Sequence, residues 1–573
     1  MDWESRRYVR KWVTVLVLAA LAGLAGGIGA VLFRLMVASV GKLFFSFLLP
    51  LITYEYRGYN LGYIFLPALG GLLIAPLVRY APNIKGNGVP EVIEAVIFRS
   101  GNIGGKFAFL KIIATSISIG TGASLGREGP IAFIGAAMSS GVTQLLKLPP
   151  EKKKLLTTCG LAAGIAGTFN TPLAGAMFAL EVIYMGAFSI NLVPIFLSAI
   201  VGNAVTLLIL GSASGITIPS GLSYHVSELF FFFALGILFG LMGVAYIRVL
   251  YTLIDKFEGS RLPVEGRLFL GGMAVGVMGM FFPNYGIFGV GYKGMDLAML
   301  GELTLTMLIA LGLVKMAATT FSIASGYSGG IFAPSLYIGT MFGSAFGILV
   351  QNLCPSLPVH PSSYALAGMA AFFSAITQAP LTQIIMITEM TKSYTILPPI
   401  MLSSTLSFLV ARAFLRGSSV YTLKLERKGL HIKTGKPVIL ETISVGEIMT
   451  SIPVYVHENE TLFKVEKLIA KTGHDCFPVV NDGHRVVGVI GVKDILGKST
   501  KLKALPVKRF LRKNYAVTCP METAQDALEK LLESDQNLLP VVENFENMKL
   551  IGVITKKDIY RAYYRGLEGM YIE

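Results

Sequence analysis

The chain has 573 residues, of which 53% are hydrophobic and 14% charged, with a net charge of +15 at pH 7 and a mean hydropathy of +0.64. This excludes an ordinary soluble protein, and the length exceeds that of one typical domain. No basic motif with interleaved aromatics accompanies the positive charge, so nucleic acid is not the expected partner.

Residues 12–33 form an uncharged stretch long enough to cross a bilayer and too long for a signal-peptide core. Arg6, Arg7, Arg10 and Lys11 precede it, which places the N-terminus in the cytoplasm. Further apolar stretches lie at 182–226, with His225 the one candidate charge, and at 230–247. Lys152, Lys153 and Lys154, the span 248–267 and the span 412–416 read as cytoplasmic, and the absence of Lys and Arg between Glu181 and Arg248 reads as an outer face. The net charge is thus a matter of membrane topology. Cys159, Cys354, Cys476 and Cys519 are widely spaced, form neither a CxxC nor a metal-ligand cluster, and are expected as reduced thiols.

Two halves are visible by internal comparison. The run from Gly160 to Pro172 and Leu173, with Glu181 nine residues after the proline, lines up with the run from Gly368 to Pro380 and Leu381, with Glu389 nine after its proline, at an offset of 380 − 172 = 208. Gly126-Arg-Glu-Gly-Pro130 lines up with Gly330-Ile-Phe-Ala-Pro334 at 330 − 126 = 204. With the N-terminus inside and the 181–248 gap outside, the halves, about 10–215 and 225–416, have opposite topology. The expected fold is a multi-span α-helical membrane protein built as an inverted repeat with broken helices, followed by a cytosolic α/β pair.

Three segments carry the chemistry: Gly86-Asn-Gly-Val-Pro90, Gly126 to Pro130 and Gly330 to Pro334. Each combines glycine with a proline suited to a helix's first turn. Breaks of this kind are tolerated in a bilayer only beside a cavity. A helix N-terminus there offers unpaired N–H groups and about half a positive charge, enough to attract an anion without trapping it.

These motifs, in this order, resemble the GSGIP, G(K/R)EGP and GxFxP motifs of the CLC chloride channel and transporter family, with Tyr421 matching the tyrosine that follows the last membrane helix. The resemblance implies that Glu128 is the gating glutamate, that Asn87 and Tyr421 touch a central anion, and that the amides of Ile331 and Phe332 complete that site. The backbone near Glu128, with Arg127 and Gly129 among the candidates, would form an outer site, and Gly88 is a further anion-binding candidate. A structural alternative for Glu128 is a salt bridge with Arg127. Asn87 departs from the serine of chloride-selective members, and Val182 stands where familiar proton-coupled exchangers have a second glutamate as inner proton acceptor. Valine carries no proton, so the expectation leans to a passive, voltage- or ligand-gated chloride channel, the alternative being a chloride/proton antiporter with an unconventional proton path. Glu181 and Glu389, equivalent in the repeat, are expected to be structural.

After Arg416 the composition turns soluble. Phe477 to Val480 followed by Val487 to Ile495 recurs as Leu539 to Val542 followed by Ile551 to Ile559, resembling tandem CBS domains, at 443–497 and 504–565. The expected division is 1–430 for the membrane permease and 431–573 for the cytosolic pair. The resemblance implies an adenine nucleotide at Thr555 and Asp558, with Asp494 the counterpart in a first unit that lacks the hydroxyl; a purely structural tandem is the alternative. No cofactor is required for transport and no enzyme motif is present. A CBS-regulated divalent-cation channel would need acidic pore residues, which the apolar region does not supply. The expected setting is multi-pass in the plasma membrane, in contact with lipid, as a homodimer.

Overall fold

The computed structural model describes residues 3–184, 192–211, 216–219, 221–430, 440, 443–511, 515–534 and 536–570, with side chains from 10 to 564, residue 11 excepted. The side chains of Arg6, Arg7 and Lys11 lie outside these. The chain forms two compact units, Met1–Gly435 and Lys436–Glu573, and residues 431–439, which include the boundary in sequence, also lie outside the described residues.

In the first unit, seven helices among the described residues are long and apolar enough to cross a bilayer, beginning with a 40-residue run, Trp12–Leu51. The other helices fall short in length or in apolarity, since a span needs about 20 predominantly apolar residues at 1.5 Å each; Pro150–Phe169 has 20 residues but opens on Glu151, Lys152, Lys153 and Lys154. Eight helices matter below: α1 (Val89–Phe98), α2 (Glu128–Leu145), α3 (Pro150–Phe169), α4 (Pro172–Phe178), α5 (Tyr292–Met299), α6 (Phe332–Leu353), α7 (Pro361–Thr377) and α8 (Pro380–Thr391). The first four recur as the second four. Helices do begin at the three breaks read from sequence, and α1 and α5 both start after a glycine in the left-handed region, Gly88 at φ 98° and Gly291 at φ 103°.

Equivalent residues meet across the repeat. Gly126 N–H donates to Gly330 O and Gly330 N–H to Gly126 O, both at 2.7 Å. Such an exchange is what a two-fold relation produces, and it sets the axis between the starts of α2 and α6. Gly86 joins them, donating to Tyr327 O at 2.9 Å and accepting from Gly329 N–H at 3.1 Å.

Packing repeats with the same register. A Cβ on Gly160 of α3 would lie 2.3 Å from Gly135 O of α2, and on Gly368 of α7 2.5 Å from Gly339 O of α6. Each helix pair therefore crosses backbone to backbone, as small residues allow in membranes. Gly160→Ala is expected to lower stability by about 1–3 kcal/mol, read as a lower Tm in detergent. Gly141→Ala, in open space on α2, is expected to leave Tm unchanged or raise it; equal Tm for native and Gly160→Ala would contradict the crossing.

The second unit contains a three-stranded sheet, ordered Val456–His457, Cys476–Val480, Val486–Gly491, and a two-stranded one, Leu538–Val542 with Leu550–Thr555. Both hairpins carry a register shift at the same place, Val479/Val480 and Val541/Val542. Their short leads cross over: Val445 is buried with Leu539 and Ile554 of the second repeat, whereas Val507 is buried with Val456 and Phe477 of the first. Each apolar lead thus completes the other repeat's core.

Candidate anion site

The site lies where α1, α2 and α6 begin. Glu128, the first residue of α2, is fully buried. Its Oε2 accepts from Ala333 N–H in the first turn of α6 at 3.3 Å, and its Oε1 from the Tyr292 hydroxyl at 2.8 Å. Arg127 Nε stands 3.8 Å from Oε1 but makes no hydrogen bond; its guanidinium lies over the Tyr292 ring, 5.0 Å from the centroid. The salt bridge with Arg127 is therefore a loose contact. The carboxylate instead lies against the α6 N-terminus, where the macrodipole favours negative charge.

Asn87 and Tyr421 come together with this cluster. Asn87 Oδ1 packs so closely on α2 that a Cβ at Gly129 would be 1.8 Å away. The Asn87 amide lies beside the Tyr421 hydroxyl, yet neither group has a partner of hydrogen-bonding geometry although both are buried. Buried polar groups are rarely left so; two such donors beside helix N-termini are the chemistry an anion asks for. Phe178 packs edge-on against Tyr421 at 6.3 Å, and Phe332 against both Phe169 and Phe178 at 5.2 and 6.0 Å, making the surround apolar. Gly88, Ile331 and Phe332 stand at the starts of α1 and α6, in the same cluster.

A cavity of about 760 Å³ reaches Asn87 and Tyr421 and is lined further out by Lys85, Lys424 and Arg427. These cations are paired: Lys85 with Glu258 at 2.6 Å, Lys424 with Glu91 at 2.5 Å, and Arg427 with both oxygens of Asp255 at 2.5 and 2.8 Å. The approach is positive but not a trap, since each cation shares its field with a carboxylate.

Tyr292 and Ala333 were not among the residues singled out from sequence. Ala333 follows Phe332 directly in its motif. Tyr292 follows Gly291, and 291 − 88 = 203 nearly repeats the offset of the halves; the signal was hidden because no proline marks this fourth start. Lys111 and Lys315, offset 204, were missed too. Lys111 Nζ donates to Ile84 and Gly86 carbonyls at 2.7 and 2.6 Å, and Lys315 Nζ to Gly286, Ile287 and Gly289 at 2.8, 3.0 and 2.9 Å, so each buried lysine fastens the loop before a helix start.

Glu181 and Glu389 clamp the halves together. Glu181 accepts from Leu381 N–H at 3.0 Å and from the N–H and hydroxyl of Thr382 at 2.7 Å each; Glu389 accepts from Leu173 and Ala174 N–H at 3.1 and 2.7 Å. Each carboxylate caps the other half's helix, α8 or α4. Val182 is buried in the π-helical turn Ala179–Ile183. In the second unit, Thr555 and Asp558 are bonded to one another at 2.6 Å and cap the last helix, and Asp494 caps Gly491 N–H at 3.0 Å.

A bundle of broken helices whose N-termini converge on a buried carboxylate has the chemistry of an anion permease. The chain matches the family model described as voltage gated chloride channel over residues 70–412, and the CBS domain model over 445–501 and 507–565. It is 32% identical over 370 residues to a putative chloride channel protein ClcB-like of Ralstonia nicotianae, covering 64% of this chain and 85% of that one. Over 433 residues it is 30% identical to the H(+)/Cl(-) exchange transporter ClcA of Vibrio parahaemolyticus, covering 72% and 90%. The crystal structure of a slow cyanobacterial Cl-/H+ antiporter superposes with a TM-score of 0.65 at 27% identity, covering 72% and 97%. A eukaryotic CLC transporter superposes with 0.63 at 20% identity, covering 96% and 98%, a likeness of fold. The chain belongs to the CLC family of chloride channels and transporters, carries two CBS domains, and is a multi-pass membrane protein rather than an enzyme.

Proposed function

We propose that this protein exchanges chloride for protons across the cell membrane, with Glu128 as the group that both ions use. The observation that carries the reading is the Glu128 carboxylate lying against Ala333 N–H at the α6 N-terminus: a displaceable anion stands where a chloride would be attracted, and the same oxygens accept a proton. The exchanger names of the relatives favour this alternative over the passive conduction that Val182 suggested. Without a glutamate at 182, protons reach Glu128 by water or by another group. Passive conduction is the second reading, and the buried Val182 is what favours it.

In this reading Asn87 and Tyr421 hold the central anion with the amides of Ile331 and Phe332, while Gly88, Arg127 and Gly129 border the outer position. The amide of Asn87 donates as a serine would but is larger, so it tunes selectivity among small anions. The permease spans 1–430 and the CBS pair 431–573, the latter cytoplasmic together with the N-terminus. The lined cavity is then the inner mouth. The protein works as a homodimer in lipid, with an adenine nucleotide as regulator at Thr555, Asp558 and Asp494; their mutual capping bonds must then be shared with the ligand.

The test is the reversal potential of purified protein in liposomes under separate chloride and proton gradients. A tenfold chloride gradient, worth about 1.4 kcal/mol, is expected to drive protons uphill. A potential that follows chloride alone would establish the channel.

A further inference from the structure

We propose that Tyr292 is a positioning residue that latches the Glu128 carboxylate, setting how strongly a proton or an anion must compete to release it. This rests on the reading of Glu128 as the displaceable group. Tyr292 opens α5 directly after the left-handed Gly291, and the loop before it is fastened by the three Lys315 bonds. Its backbone is thereby held and its ring is held too, beneath the Arg127 guanidinium. The hydroxyl, which also faces the Arg127 guanidinium, donates to Glu128 Oε1 at 2.8 Å.

A hydroxyl donating to a carboxylate makes a charge-assisted bond, roughly twice as strong as a neutral one. It is strong while Glu128 is ionised and weak once Glu128 is protonated, so it favours the seated, charged gate. The other groups facing Glu128 are Arg127 just before α2, Ala333 N–H on α6 and, by charge, Tyr421; Arg34 lies behind, beside Arg127 and Tyr292. Of these side chains, Tyr292 is the one bonded to the carboxylate. The corresponding first-half position is Val89, which cannot donate, so the latch breaks the symmetry of the repeat and acts on Glu128 from one half alone.

The experiment compares native protein, Tyr292→Phe, Glu128→Gln and the double variant. Two readouts are used: the pH of half-maximal chloride flux in liposomes, and chloride affinity by calorimetry in detergent. Phenylalanine keeps the ring and the stacking of the Arg127 guanidinium over its face. Tyr292→Phe is expected to move the half-maximal pH up by about one unit and to tighten chloride binding about tenfold, the equivalent of one such bond. In the Glu128→Gln background, where flux no longer varies with pH, it is expected to leave the profile flat and the chloride affinity unchanged. Tyr292→Phe leaving both readouts at native values, while Glu128→Gln moves them, would overturn the latch alone. A shift that persists in the double variant would assign the hydroxyl elsewhere and also overturn it. If Glu128→Gln itself moves nothing, the gate reading fails and the latch with it.

Discussion

Glu128→Gln is expected to abolish the coupling of chloride to protons and to flatten the pH profile. The glutamine amide matches the carboxylate in size but carries no charge to hold it against the α6 N-terminus and no site that protonates between pH 4 and 9. An anion displaces it freely. The ratio of chloride flux at pH 5 to that at pH 7 should fall to about one, where a single titrating carboxylate can contribute up to tenfold per unit, and the proton gradient should no longer move the reversal potential. Retained coupling in Glu128→Gln would require a different proton carrier and would remove Glu128 from the centre of the mechanism.

The second large effect is on stability. Lys315 Nζ points three donors at three carbonyls, the full complement of an ammonium, inside a helix bundle where water cannot replace it. Lys315→Met keeps the volume of the stem and leaves Gly286, Ile287 and Gly289 without their donor. Each buried acceptor costs about 1–3 kcal/mol, so a loss of about 3 kcal/mol or more is expected, read as a sharply lower Tm and as cleavage of the 286–291 loop by added protease. Lys315→Met with native Tm would show that the three carbonyls find other partners.

Much of this was legible in the residues and some was not, for physical reasons. Glycine and proline announce helix starts because their effects are local, so Gly86 to Pro90, Gly126 to Pro130 and Gly330 to Pro334 marked three helix starts that the fold brings together, and the two offsets marked the repeat. The roles of Glu181 and Glu389 as equivalent structural residues also followed, although not that each caps the opposite half. A lysine, by contrast, says nothing about what it will bond until the chain is folded; Lys111 and Lys315 share the 204 offset but offered no motif. Tyr292 reaches Glu128 across 164 residues of sequence, a contact made by the fold alone. The lean to a channel came from one side chain, Val182, and a single position weighs less than relatives matched over 433 residues.

The exchange of caps between Glu181 and Glu389 limits how this machine can cycle. Five hydrogen bonds, at about 1 kcal/mol each, bolt the two halves at one end, and about 5 kcal/mol holds the sprung state below one molecule in a thousand. Rocking one half against the other, the stroke of many transporters built from repeats, is therefore a poor route here. In the exchange reading proposed above, the frame would stay shut while the Glu128 carboxylate alone swings within it, and side chains reorient far faster than domains hinge. The turnover rate would then be governed by the delivery of the ions to Glu128 rather than by the motion of the scaffold that holds it.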